Sequence, residues 1–217
     1  MPGSSAETRR AQPLLGTFVE IRTRGASPGS IERAFAAVAR VHALMSAQEA
    51  ASDVARLRSG RRGLHPWTRR VLERAEEIRA GTDGLFDPSA CGHALDGIAK
   101  GFAVDRAVEI LAARGAAGCV NAGGDLRVFG AGFEEVHVRD GNNVVRIGSV
   151  RDAAVATSAS ALLVDPRREP GKRAARGVTV IAADCMTADA LTKPCLLEPQ
   201  RASELAGRFG AIALVHA

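Results

Sequence analysis

Two stretches of this sequence gather residue types that could do chemistry. The first is Leu95-Asp-Gly-Ile-Ala-Lys-Gly-Phe-Ala-Val-Asp, where loop glycines and Lys100 lead straight into a helical pattern. Glycine lets a backbone approach a phosphate without an intruding Cβ, and the amides of a following helix start offer it partial positive charge. The spacing is neither GxxxxGK[ST] nor GxGxxG, and a plain helix start accounts for the same residues. The second is Ala183-Asp-Cys-Met-Thr-Ala-Asp-Ala-Leu-Thr. Oxygen donors at Asp184, Thr187, Asp189 and Thr192 could hold a hard cation such as Mg²⁺. N-capping by Asp184 or Thr187 explains the same residue types. A third junction, Asn121-Ala-Gly-Gly-Asp, reads as a tight turn.

These junctions lie between elements that hydrophobic spacing makes legible. Leu14 to Thr23 reads as a strand, with Phe18 and Glu20 on one face and Val19 and Ile21 on the other. A helix begins near Ser30 and carries Ile31, Ala34, Phe35, Val38, Val41, Leu44 and Met45 along one stripe. A second starts at Pro66, whose fixed φ suits a first turn, and stops at Gly81. A third follows Lys100-Gly101. Leu126–Phe129, Glu135–Arg139, Val144–Ile147 and Val178–Ala182 read as strands. A helix over Asp189–Leu197, interrupted at Pro194, and another over Ser203–Phe209 complete the chain. Strands and helices mix without strict βαβ alternation, which predicts an α+β fold. The expected organisation is a disordered tail over residues 1–13 and one domain over 14–217.

Composition narrows the function classes. The chain has 217 residues, 46% of them hydrophobic and 24% charged, the profile of a folded globular protein rather than a disordered or coiled-coil one. No apolar run reaches the roughly 20 residues of a membrane helix. The net charge of +5 invites a polyanion, but only three of the 29 basic residues are lysines, the arginines are scattered, and aromatics are 4% with no tyrosine. That leaves little for stacking bases, so no nucleic-acid partner is expected. Cys91, Cys119, Cys185 and Cys195 form no CxxC pair. With no signal-peptide pattern and no lipidation cysteine, a reduced, cytoplasmic setting is expected.

Taken in order, the motifs resemble the FAD:protein FMN transferases, the ApbE-type flavin transferases. The resemblance runs collinearly from about residue 14 to 197. It is carried by Leu15-Gly-Thr-Phe, Leu44-Met-Ser, Ser52-Asp-Val-Ala-Arg-Leu, Thr82-Asp-Gly-Leu-Phe-Asp-Pro, Gly97-Ile-Ala-Lys-Gly-Phe-Ala-Val-Asp-Arg-Ala, Val120-Asn-Ala-Gly-Gly-Asp-Leu, Ala156-Thr-Ser, Val164-Asp-Pro-Arg and Cys185-Met-Thr-Ala-Asp-Ala-Leu. It implies mixed sheets with packed helices and an FAD cleft between two parts. It also implies transfer of FMN from FAD to a threonine or serine of an acceptor flavoprotein, with Mg²⁺ and release of AMP. By position, Leu85, Phe86, Asp87 and Lys100 would line the FAD, the Gly97 carbonyl and Asp189 would reach the metal, and Asp165 would lie near the flavin.

The departures bear on mechanism. Leu162 stands where the family has a histidine base, and His93, beside the site loop, is the candidate replacement. His42, His65, His137 and His216 have less claim. Lys193 stands where the family has a second metal-ligating hydroxyl. Thr192, one step earlier, could substitute, or the Lys193 ammonium could sit where the metal would be. Ala94 stands where an acidic residue is usual, with Asp96 close by. An FAD-binding protein that has lost transfer is the alternative reading.

Overall fold

The computed structural model describes residues 6–140, 143–159, 165–167 and 177–216. The chain opens with an antiparallel hairpin, β1 (Thr8–Leu14) and β2 (Thr17–Arg24), in register from Thr8↔Thr23 to Leu14↔Thr17. Val19 and Ile21 are buried and Phe18 is exposed, the alternation expected of this strand. β1 corrects the expectation of a disordered tail to residue 13. Its own sequence has no apolar alternation, so nothing local marks it. Its order comes from backbone pairing with β2 and from ion pairs of Arg9 with Glu20 and Arg10 with Glu32.

Helix α1 (Pro28–Met45) is capped by Ser27, whose hydroxyl accepts from the Ser30 N–H at 3.2 Å, and has proline in its first turn. The short α2 (Asp53–Arg58) and α3 (Pro66–Gly81) follow, then α4 (Ala99–Ala112). Next come β3 (Ala117–Ala122), β4 (Asp125–Phe129), β5 (Glu134–Asp140), β6 (Asn143–Val150), β7 (Ala154–Ala159) and β8 (Gly177–Ala182). α5 (Cys185–Leu197), α6 (Ala202–Gly207) and β9 (Ile212–His216) close the described chain.

Among the described residues seven strands form one antiparallel sheet in the order β1-β2-β3-β4-β7-β8-β9, and β5–β6 forms a separate hairpin. Side chains alternate across that sheet. Val120, Ala154, Ala156, Val178 and Val180 join the core under α1, α4 and α5. Cys119, Val128 and Val155 face the other way and pack with Val136 and Val150 of the β5–β6 hairpin. The result is three layers of an α+β fold: hairpin, sheet, helices. Each fully buried side chain such as Ile98, Phe102 or Leu191 contributes about 2 kcal/mol of burial.

Two helices set the geometry of the site. α4 crosses α5 at Gly101, where a Cβ would lie 2.2 Å from the Cys185 carbonyl oxygen and 2.9 Å from Asp189 Cβ. No other residue allows that approach. α5 starts four residues earlier than expected and runs through Pro194 without a break. Its start is fixed twice. Asp184 accepts from the Thr187 N–H at 2.8 Å and from its hydroxyl at 2.9 Å. Asp105, on α4, accepts from the Cys185 and Met186 N–H groups at 2.9 and 2.8 Å. These bonds satisfy donors that a helix start leaves open. Late in the helix, Pro194 costs one backbone bond, and the buried Leu191, Cys195 and Leu196 around it hold the turn in place.

Candidate active site

Three turns converge at one end of the large sheet. The β1–β2 turn is Leu15-Gly16, with φ of +57° and +70°, the primed-turn geometry that suits a two-residue hairpin. Leucine in that region costs about 1 kcal/mol, and here it presents Leu15 to a cleft. The β3–β4 turn needs its glycines. Gly123 has φ +63°, and a Cβ there would come within 2.6 Å of the Thr17 hydroxyl. Asn121 Oδ1 accepts from the Gly124 N–H at 2.9 Å, and the turn delivers Asp125 inward. The third is the loop that brings Gly97 and Ile98 to the start of α4, which no side chain of its N-cap residue closes.

Between these turns and the end of α1 lies a cleft of about 370 Å³. It is lined by Leu15, Gly16, Val41, His42, Met45, Ser46, Gln48, Asp96, Ala99 and Lys100. A shallower hollow continues outward past Pro13, Leu14, Thr17 and the exposed Phe18.

A cluster of four charges is built beside Lys100. Lys100 Nζ lies 2.9 Å from Asp125 Oδ2. That ammonium is the charged partner of this buried oxygen. On α5, Lys193 forms an ion pair with Asp189 Oδ1 and donates to the Asp189 carbonyl oxygen at 2.8 Å. Asp189 Oδ2 accepts from the Gly101 N–H at 3.0 Å. Both carboxylates are almost fully buried, while both lysines keep partial access to solvent. Burial, and then the charge of Asp189, push the Asp125 carboxyl above its usual range, against the pull of Lys100 and Lys193. Burial alone would lower the Lys100 ammonium, but Asp125 and Asp189 outweigh it and hold Lys100 above its ordinary value.

Behind this cluster, Asp105 binds the start of α5 and accepts from Arg127 Nη1 at 2.7 Å. Burial raises its carboxyl to about 6, against those three donors. Burial likewise raises the Cys119 and Cys195 thiols, each to about 12, and Cys185 well above the ordinary thiol range. None of the three is primed as a nucleophile.

The structure brings Asp96, Gly97, Lys100, Asp189 and Lys193 together, and it disperses the other expected site residues. Leu85 and Phe86 are buried in the core, where they do not line the cleft. Phe86 packs beneath Gly97: a Cβ on that glycine would lie 3.4 Å from Phe86 Cε2 and 3.2 Å from Lys193 Cε. Asp87 closes its own turn, accepting from the Ser89 and Ala90 N–H groups at 2.8 and 3.1 Å. His93, with φ +58°, sits in a loop held by a 2.8 Å bond from Arg58 Nε to the Gly92 carbonyl, outside the cleft lining. Asp165 is bonded by Arg167, which holds its carboxyl below the usual range and also reaches Glu198 at 3.2 Å. The Thr192 hydroxyl donates to the Asp189 carbonyl at 2.7 Å and meets the Ser158 hydroxyl at 2.8 Å, so it faces β7. Leu162 lies outside the described residues.

Sequence reasoning missed three residues. Asp125 was hidden as the last letter of a turn motif, although an aspartate directly after Gly-Gly is the residue such a turn would deliver. Asp105 lay on the buried face of a helix, where an acid needs a partner, and that was a usable signal. His42 lay on the apolar stripe of α1 and gave no signal of its own, yet it is the histidine that lines the cleft.

The sequence profile described as the ApbE family matches residues 15–93 and 92–215, most of the chain. The chain belongs to the ApbE family. No curated protein sequence matches it significantly. Among solved structures it is similar to the ApbE protein of Thermotoga maritima MSB8, with a TM-score of 0.86 at 22% identity, covering 97% of this chain and 94% of that one. It is also similar to the flavin transferase ApbE of Vibrio cholerae (TM-score 0.85, 18% identity, 97% and 93% covered). The apo flavinyl transferase ApbE of Pseudomonas stutzeri matches with a TM-score of 0.84 at 19% identity, covering 100% and 93%. Identities this low establish likeness of fold. The span matched to the ApbE family includes the cleft, α4, the β3–β4 turn and α5; β1 lies before it.

Proposed function

We propose that this chain is a flavin transferase that moves the FMN half of FAD onto a threonine or serine hydroxyl of an acceptor flavoprotein and releases AMP. The observation that carries the reading is Lys100. It stands at the start of α4 with its ammonium between a buried carboxylate and the open cleft, where one diphosphate could replace solvent. Membership of the ApbE family and the names of the structural relatives support the same chemistry.

In the proposed reaction the acceptor hydroxyl oxygen attacks the phosphorus of the FMN half. The bond from that phosphorus to the bridging oxygen breaks, and AMP leaves with the oxygen and its electron pair. Lys100 offsets the charge that develops on the diphosphate. The hydroxyl proton needs a base. His42, which lines the cleft, would take it in this reading, whereas His93 lies outside the cleft lining. Asp96 lines the same cleft and is positioned to hold a polar part of FAD. Leu85, Phe86 and Asp87 would act through the floor under Gly97 rather than by touching the flavin. Asp165, kept ionised by Arg167, suits a fixed turn better than a base.

The divalent cation implied by the family does not fit this donor set. Both Asp189 oxygens are engaged, one by the Gly101 amide and one by an ammonium, and the Thr192 hydroxyl is turned to Ser158. No step is therefore routed through a metal. The test is to incubate the protein with FAD and a threonine-bearing acceptor domain, following AMP release and FMN addition to the acceptor. Replacing His42 with glutamine should slow transfer about 100-fold while FAD still binds, and H93Q should leave it nearly unchanged. FAD binding with no AMP released across several acceptors would instead make this a flavin-binding protein without transfer.

A further inference from the structure

We infer that Lys193 is a built-in cation: its ammonium occupies the position beside Asp189 that a divalent metal would need, so this chain binds the diphosphate of its ligand without metal. The inference rests on the FAD reading above for the identity of the ligand, but its geometry stands apart from it.

Four observations carry it. Lys193 pairs with Asp189 Oδ1 and donates to the carbonyl oxygen of the same residue at 2.8 Å, which gives the ammonium two oxygen partners from one helical turn. The remaining Asp189 oxygen is spent on the Gly101 N–H, a bond locked by the close crossing of α4 and α5. Gly97 makes room for the lysine stem, since even a methyl group there would sit 3.2 Å from Lys193 Cε. Across the cluster Lys100 pairs with Asp125, so each of the two buried carboxylates already has an ammonium beside it while both ammoniums keep partial access to solvent. A divalent ion entering this cluster would have to expel the ammonium and strand it partly buried, which is costly. A fixed ammonium and a divalent ion can serve the same electrostatic end toward a diphosphate, but only one of them can hold Asp189.

The experiment uses the full chain and two readouts. Flavin fluorescence titration measures FAD affinity in EDTA and in millimolar Mg²⁺. Electron paramagnetic resonance measures binding of Mn²⁺, as a probe of the metal site, without FAD. The wild type should bind FAD equally, within two-fold, in both buffers, and should not bind Mn²⁺. K193M keeps the stem over Gly97 and removes the charge; it should weaken FAD binding about ten-fold in either buffer. K193T frees Asp189; it should take up Mn²⁺ and bind FAD well only when Mg²⁺ is present. Thermal unfolding of both variants shows that they fold.

Wild-type FAD binding that requires Mg²⁺ would overturn the inference, as would wild-type Mn²⁺ binding that disappears in D189N. If no form binds FAD in either buffer, the flavin reading fails. Mn²⁺ uptake by K193T and not by the wild type would then still support the internal cation, and equal Mn²⁺ behaviour of the two would refute it.

Discussion

At the scale of single residues the site depends on what glycine omits and on what buried acids hold. Gly101→Ala would place a methyl group inside van der Waals contact with both the Cys185 carbonyl and Asp189. The helices must then separate, and a loss of about 3 kcal/mol is expected in a urea unfolding titration, together with weaker FAD binding. Asp105 gives a pH signature. Its carboxyl is raised to about 6 in the folded chain against an ordinary value of 3.8. Relative to a chain without it, stability is therefore highest below about pH 4 and is lost as pH rises through about 6, by up to about 3 kcal/mol. Unfolding free energies of the wild type minus those of D105N, measured from pH 4 to 7, should fall across that window. A difference that rises with pH would contradict the assignment. Lys100 reports on binding: K100M, combined with D125N so that no buried charge is left alone, should weaken FAD binding by about 10- to 100-fold.

Helix starts, turns and strand edges decide where those residues stand. The start of α5 rests on Asp184, so D184A should cost about 1 kcal/mol and D184S should recover most of it, a comparison that thermal unfolding resolves. How much of this was legible in the sequence varied with the kind of signal. α1, α3 and α4 announce themselves through apolar spacing, and α3 also through Pro66 at its start and Gly81 at its end, whereas α1 begins at Pro28, two residues before the start expected near Ser30. The strand β1 could not be read, because Thr-Arg-Arg-Ala-Gln-Pro-Leu earns its order from a partner strand rather than from its own pattern. Strands β3 and β7 hide for a different reason: in Ala-Gly-Cys-Val-Asn-Ala and Ala-Val-Ala-Thr-Ser-Ala the alanines, glycine and asparagine dilute the strand-favouring valines and threonine, and at Gly118 the backbone of β2 comes too close for any side chain. Local capping also disguised α5. The oxygen-rich Asp184–Thr192 run suggested a cation site, and the structure spends Asp184 and Thr187 on the helix start. Of the cluster, Asp189, Lys193 and Lys100 were visible through their motifs, whereas Asp125 required a turn to fold before it could meet them.

Over the whole molecule, the sheet separates two jobs. Its helix-covered face holds the main core and its far end opens the cleft, while the β5–β6 hairpin covers a second, smaller core through Val136 and Val150. Among the described residues no helix is long and apolar enough to cross a membrane. Many of the arginines sit in surface ion pairs such as Arg79–Glu76 and Arg146–Glu135, which salt screens and which add no net charge. The proposed function uses the positive charge of Lys100 and Lys193. One measurement tests that conclusion most directly: intact-mass spectrometry of a threonine-bearing acceptor domain incubated with this protein and FAD in EDTA, with AMP quantified in the same reaction. Expected is FMN added to the acceptor with an equal amount of AMP released, undiminished by the chelator. FAD bound with neither product, or products that form only when Mg²⁺ is restored, would contradict it.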